Sequence, residues 1–196
     1  MAALADQHRW RSTTILQGHG MNILASFAPF IAFAVLIHFG QTALALWAAA
    51  IIAATLVIKD KVLAGKSVKI LDAGTILLFG LLAVLSTALG QDWTIPVVRL
   101  VVDCGLLLIV LVSLVIGTPF TIQYAREMVP AEFWSTPEFF SINRNITLVW
   151  ATAFATMVLA DLLMMFAPAY GTVAIVINIL ALVVAIRYTA KHSKAD

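Results

Sequence analysis

Five polar residues in strongly apolar surroundings are the first candidates for chemistry: His38, Arg99, Asp103, Asp161 and Asn178. An ionisable side chain inside hydrocarbon is costly, so it is usually paired or put to use. Arg99 and Asp103 are four residues apart and share a helix face, one turn from each other. This spacing predicts an ion pair between them, with the guanidinium reaching outward along its stem. Asp161 and Asn178 are expected to hydrogen-bond into the same network and fix helix register. The same set permits a second chemistry. Two carboxylates around one guanidinium can carry a titrating proton, or hold an ion or solute. Asp72 lies three residues from Lys69 and is expected to cap or pair with it.

Enzyme chemistry is not visible. The sequence contains no H-E-x-x-H and no G-x-S-x-G. No serine lies within a turn of a histidine in an apolar segment, and His8, His19 and His192 lie outside those segments. No catalytic residue, metal site or cofactor is expected. Met157, Met164 and Met165 read as packing residues rather than copper ligands. The single Cys104 excludes an internal disulfide framework.

Two further regions carry candidate surfaces. Lys59, Lys61, Lys66 and Lys69 form a basic, glycine-containing stretch suited to anionic headgroups. The segment 118–144 carries Phe120, Tyr124, Arg126, Phe133, Trp134, Phe139 and Phe140. Short helices lying at the membrane surface are expected there, with rings at headgroup depth. Thr136 followed by Pro137 is a helix start. This segment is either a membrane-lying connector or a docking surface for a partner or lipid.

The elements that must position these residues follow from composition. The chain has 196 residues, 62% of them hydrophobic, with twelve basic and ten acidic side chains. Its mean hydropathy is +1.02. Soluble domains are about 45–50% apolar and roughly 25% charged. A soluble enzyme and a disordered regulator are therefore excluded, and a net charge of +2 builds no face for nucleic acid. An all-α, polytopic transmembrane helix bundle remains.

A span needs about 20 mostly apolar residues. Six segments are predicted: Met21–Phe39, Thr42–Ile58, Ile70–Gly90, Trp93–Gly117, Asn145–Pro168 and Tyr170–Ile186. Tight links at Gly40-Gln41, Gly90-Gln91-Asp92 and Pro168-Ala169 make them three antiparallel hairpins. No residue-level repeat relates the hairpins. The small-xxx-small pairs Ala49/Ala53, Ala50/Ala54 and Ala151/Ala155 are expected at helix contacts. Eleven of the twelve basic residues fall on one side: Arg9, Arg11, the four lysines above, Arg126, Arg144, Arg187, Lys191 and Lys194. That side is expected to be cytoplasmic, with both termini there. Residues 1–20 then form a cytoplasmic arm, 21–188 the membrane domain including the 118–144 loop, and 189–196 a tail. The polar layer lies in the outer third of the membrane. An alternative is cleavage after Ala43-Leu44-Ala45, leaving five spans.

From Ala28 to Met165 the order of features resembles the bacterial inner-membrane septation protein A family. A proline-containing first span precedes an alanine-rich second that ends in a basic loop. A glycine-punctuated third follows, then a fourth ending in Gly117-Thr118-Pro119. Arg126, Pro130, Trp134, Asn143 and Trp150 complete the pattern. The resemblance implies a non-enzymatic inner-membrane protein linked to cell division or envelope maintenance, and it carries no catalytic residues. The first expectation is therefore a structural or interaction protein of the bacterial inner membrane, with a possible envelope or division partner. The alternative is a small transporter or channel built on the Arg/Asp/Asn layer. An intramembrane lipid enzyme is a third class, without a visible nucleophile–base pair.

Overall fold

The structure, a computed structural model, describes residues 26–65, 67–90 and 93–193. The arm with Arg9 and Arg11, the start of the first predicted span, Lys66, the Gln91-Asp92 turn and Lys194 lie outside them. All regular structure among the described residues is helical. The helices are α1 (Ala28–His38), α2 (Thr42–Ala64), α3 (Ile70–Ala88), α4 (Ile95–Val115), the short α5 (Phe120–Ala125), α6 (Pro137–Phe166) and α7 (Gly171–His192). Single 3-10 turns occupy Ala131–Phe133 and Pro168–Tyr170. The helices α2, α3, α4, α6 and α7 (the last with its preceding turn) are each long and apolar enough to cross a membrane. Many of their large aliphatic side chains face outward, such as Ile51, Leu77, Leu108, Leu159 and Val184. In water this surface would be untenable; in lipid it is the expected one. The chain has the make-up of a multi-pass membrane protein.

Consecutive long helices pack side by side, with α4 lying against α6 across the short α5. Their contacts run antiparallel. A Cβ on Gly74 would meet the Ile109 side chain at 2.7 Å, and one on Gly105 would collide with Leu78. The two glycines thus form reciprocal notches between α3 and α4. Between α6 and α7, Trp150 reaches Thr189 while Asp161 reaches Asn178. Ala49, Ala50, Ala53 and Ala151 are buried, as small residues at close helix contacts should be.

Three boundaries differ from the sequence expectation. Helix α2 continues past Ile58 through Lys59 and Lys61, because nothing breaks it before Gly65. Gly65 adopts φ +62°, the left-handed conformation that ends helices. Helix α6 starts at Pro137, two turns before Asn145, capped by the Thr136 hydroxyl accepting from Phe139 N–H. Its 30 residues span about 45 Å at 1.5 Å each. Helix α7 runs on to His192 rather than stopping at Ile186.

Candidate functional site

Four of the five polar residues come together. On α4, the positions 99, 102, 103 and 106 repeat at i, i+3, i+4 and i+7, so Arg99 and Asp103 share the face turned into the bundle. On α6 the same spacing aligns Trp150, Phe154, Met157 and Asp161. Arg99 does not pair with Asp103 as expected. Its Nη2 lies 3.3 Å from Oδ1 of Asp161, which is fully buried. The same oxygen accepts from Asn178 Nδ2 at 3.1 Å. Asp103 is buried one turn deeper, within hydrogen-bonding reach of Asp161 and electrostatic reach of Arg99. The cross-helix pair wins because a fully buried carboxylate has no water to fall back on. Oδ2 of Asp161 and Oδ1 of Asn178 are buried without a hydrogen-bond partner among the described residues. His38 does not join them: it is exposed at the end of α1, its ring edge-on to Phe39.

Arg99, Asp103 and Asn178 form the polar wall of a cavity of about 380 Å³ between α1, α4, α6 and α7. The remaining wall is apolar and rich in rings: Phe27, Phe30, Phe33, Trp150 and Phe154. Phe27 stacks on Trp150 at 4.8 Å, and Trp150 Nε1 donates to Thr189 Oγ1 at 3.0 Å. Ile31, Ile175, Ile179 and Ile186 line the cavity yet are exposed on the outer surface. Among the described residues, the cavity therefore opens sideways between α1 and α7. The sequence reading missed this aromatic wall. The signal was present: Asp161 continues the same helical stripe as Trp150, Phe154 and Met157.

A second polar cluster closes the opposite end of the bundle. Lys69, expected at headgroups, is instead buried. Its Nζ lies 2.9 Å from Glu127 Oε1, 3.7 Å from Asp60 Oδ2 and 4.9 Å from the centre of the Tyr124 ring. Asp72 does not pair with Lys69; it accepts from the Tyr124 hydroxyl at 3.0 Å. Gln123 Oε1 accepts from Ile70 N–H at 2.7 Å and so caps α3 from another element. Burial, with the Asp72 carboxylate beside it, pushes the Tyr124 phenol up, so it remains a donor. Lys59 and Lys61 stay exposed.

The aromatic segment divides. Phe120, Tyr124 and Phe139 are buried and hold α5 onto the bundle, so they offer no surface. Phe133, Trp134 and Phe140 are exposed, and Arg126 lies over the Trp134 ring at 5.4 Å. No family model matches the chain, and neither a curated protein nor a solved structure matches it significantly.

Proposed function

We propose that the chain is a small proton-moving carrier of the bacterial inner membrane, binding its proton, alone or with a solute, at the intramembrane cavity. One observation carries this reading: charged and amide side chains of α4 and α7 line one cavity and are tied to the buried Asp161 of α6, with two buried acceptor atoms among them left unpartnered. A network serving only helix register would close on itself. The reading is non-enzymatic and uses six spans in three hairpins, α1 belonging to the first. Both termini face the cytoplasm. The end bearing Lys59, Lys61, Arg126, Arg144, Arg187 and Lys191 is the cytoplasmic one, with the exposed lysines at anionic headgroups. The resemblance to the septation family supports the bacterial location.

The test is proton flux into proteoliposomes holding trapped pyranine, driven by a potassium–valinomycin potential. The protein is expected to raise flux above empty vesicles, and Asp161→Asn to remove the increase. Equal flux in that variant, or none in the parent, would sink the carrier reading.

A second reading, a docking protein for envelope maintenance or septation, is favoured by exposed Phe133, Trp134 and Phe140. It expects Trp134→Ala to abolish complementation of a deletion strain while Asp103→Asn complements fully. The reverse pattern counts against it.

A further inference from the structure

We infer that the cavity takes a protonated amine carrying an apolar, ring-sized body, reaching it from the bilayer between α1 and α7. This rests on the cavity being the working site, but it concerns the occupant, not the transport.

Charge is the first ground. The polar wall and its buried partner bring two carboxylates, Asp103 and Asp161, to a single guanidinium, Arg99. Arg99 is ion-paired with Asp161, and Asp103, which lines the cavity beside Asp161, has no ion-pair partner of its own among the described residues. Two carboxyls this close hold a proton between them; an arriving cation takes that proton's place, which an anion cannot do.

Hydrogen bonding is the second. Asn178 spends an amide N–H on Asp161, and its Oδ1 is closed off from the cavity. The acceptor on the wall without an ion-pair partner among the described residues is therefore Asp103. An ammonium carries donors only and satisfies it. An ionised carboxylate or an ether, which bring no donor, cannot.

Shape and lining are the third. Five aromatic residues face the same space, and aromatic faces attract cations while packing against apolar bodies. A volume of about 380 Å³ is in the range that holds small organic molecules. A bare metal ion would leave most of it unfilled. The exposed edge at Ile31, Ile175 and Ile179 faces where acyl chains lie, so a lipophilic amine already partitioned into the membrane has a direct path.

Equilibrium dialysis of the full chain in nanodiscs tests this, with phenethylammonium as the probe, 2-phenylethanol as its neutral counterpart and 3-phenylpropionate as its anionic one. Phenethylammonium is expected to bind saturably, one per chain, at least tenfold tighter than the other two. Asp103→Asn is expected to weaken it at least tenfold. Ala34→Phe, which fills the cavity without touching charge, is expected to abolish it, and the lipid-facing Leu159→Ala to leave it unchanged. Each variant is compared by gel filtration, and the cavity-filling variant keeps the test meaningful where Asp103→Asn fails to fold. Equal binding of the alcohol would mean a lipid-like apolar occupant and overturn the inference, as would tighter binding of the propionate. Full binding by Ala34→Phe would put the amine elsewhere and overturn it too. Amine binding without proton flux would uphold the ligand class and sink only the carrier reading. Proton flux without amine binding would do the opposite.

Discussion

Lys69 is a cation with almost no contact with solvent: its side chain is 3% exposed. A buried ammonium persists only when paired, and Lys69 is held by Glu127, Asp60 and the face of Tyr124. Lys69→Met is therefore expected to destabilise the purified protein by up to about 3 kcal/mol, read as a lowered unfolding temperature in detergent. Lys59→Ala and Lys61→Ala should stay within about 0.5 kcal/mol. Similar small losses in all three would mean the cluster holds nothing together. The two kinds of lysine were indistinguishable in the sequence, because what buries Lys69 comes mainly from Tyr124 and Glu127, more than fifty positions away. Arg99 teaches the same lesson. Its partner by spacing was Asp103, four residues along; its partner in space is Asp161, on another helix. Membership of the polar cluster was legible from residue type and depth for Arg99, Asp103, Asp161 and Asn178, but not for His38, which sits exposed at the end of α1. The pairing within it was not, since that depends on how helices rotate against each other.

At the scale of elements, the α3–α4 contact is set by two absent side chains. Leu78 fills the notch at Gly105, and Ile109 the notch at Gly74. Gly105→Val must displace Leu78 and is expected to cost roughly 1–3 kcal/mol. Gly80→Ala, on the same helix pair with open space around its Cβ position, should cost nothing. Unfolding temperatures of the two variants give the comparison, and equal values would mean the helices do not pack by these notches. The N-terminus of α6 offers a second check: Thr136→Ala removes the bond to Phe139 N–H and should cost about 1 kcal/mol. This cap was readable from Thr136-Pro137 alone, as were all five long helices, because capping and apolar runs are local. The extension of α2 through its lysines was not read, since charge was allowed to end a helix that only Gly65 could end. The fate of Phe120, Tyr124 and Phe139 was equally hidden. An aromatic ring at a membrane surface and one pinning a short helix to a bundle look alike in sequence.

Among the described residues the whole molecule has two large apolar cores and a small third one of Ile122, Ala125 and Phe139. Of the large ones, one joins α1, α2, α3 and α4 around Phe79, and the second gathers α3, α4, α5 and α7 onto α6 around Trp150. The turn at Gly40-Gln41 and the link around Ser135 lie at opposite ends of the bundle, and both residues Gln41 and Ser135 are exposed. In a Cys104→Ser background, Gln41→Cys is expected to react with an impermeant maleimide added to intact cells. Ser135→Cys should react only after permeabilisation. Labelling of both from outside would overturn the orientation proposed above. Helix α6 connects these two worlds. It is one unbroken rod from the Thr136 cap to Asp161, a rise of about 37 Å with no hinge along it. A displacement applied at the exposed ring of Phe140, on the first turn of that rod, would reach Asp161 without a joint to take it up, so the surface and the ion pair to Arg99 share one lever, as a key shaft works a lock from outside the door.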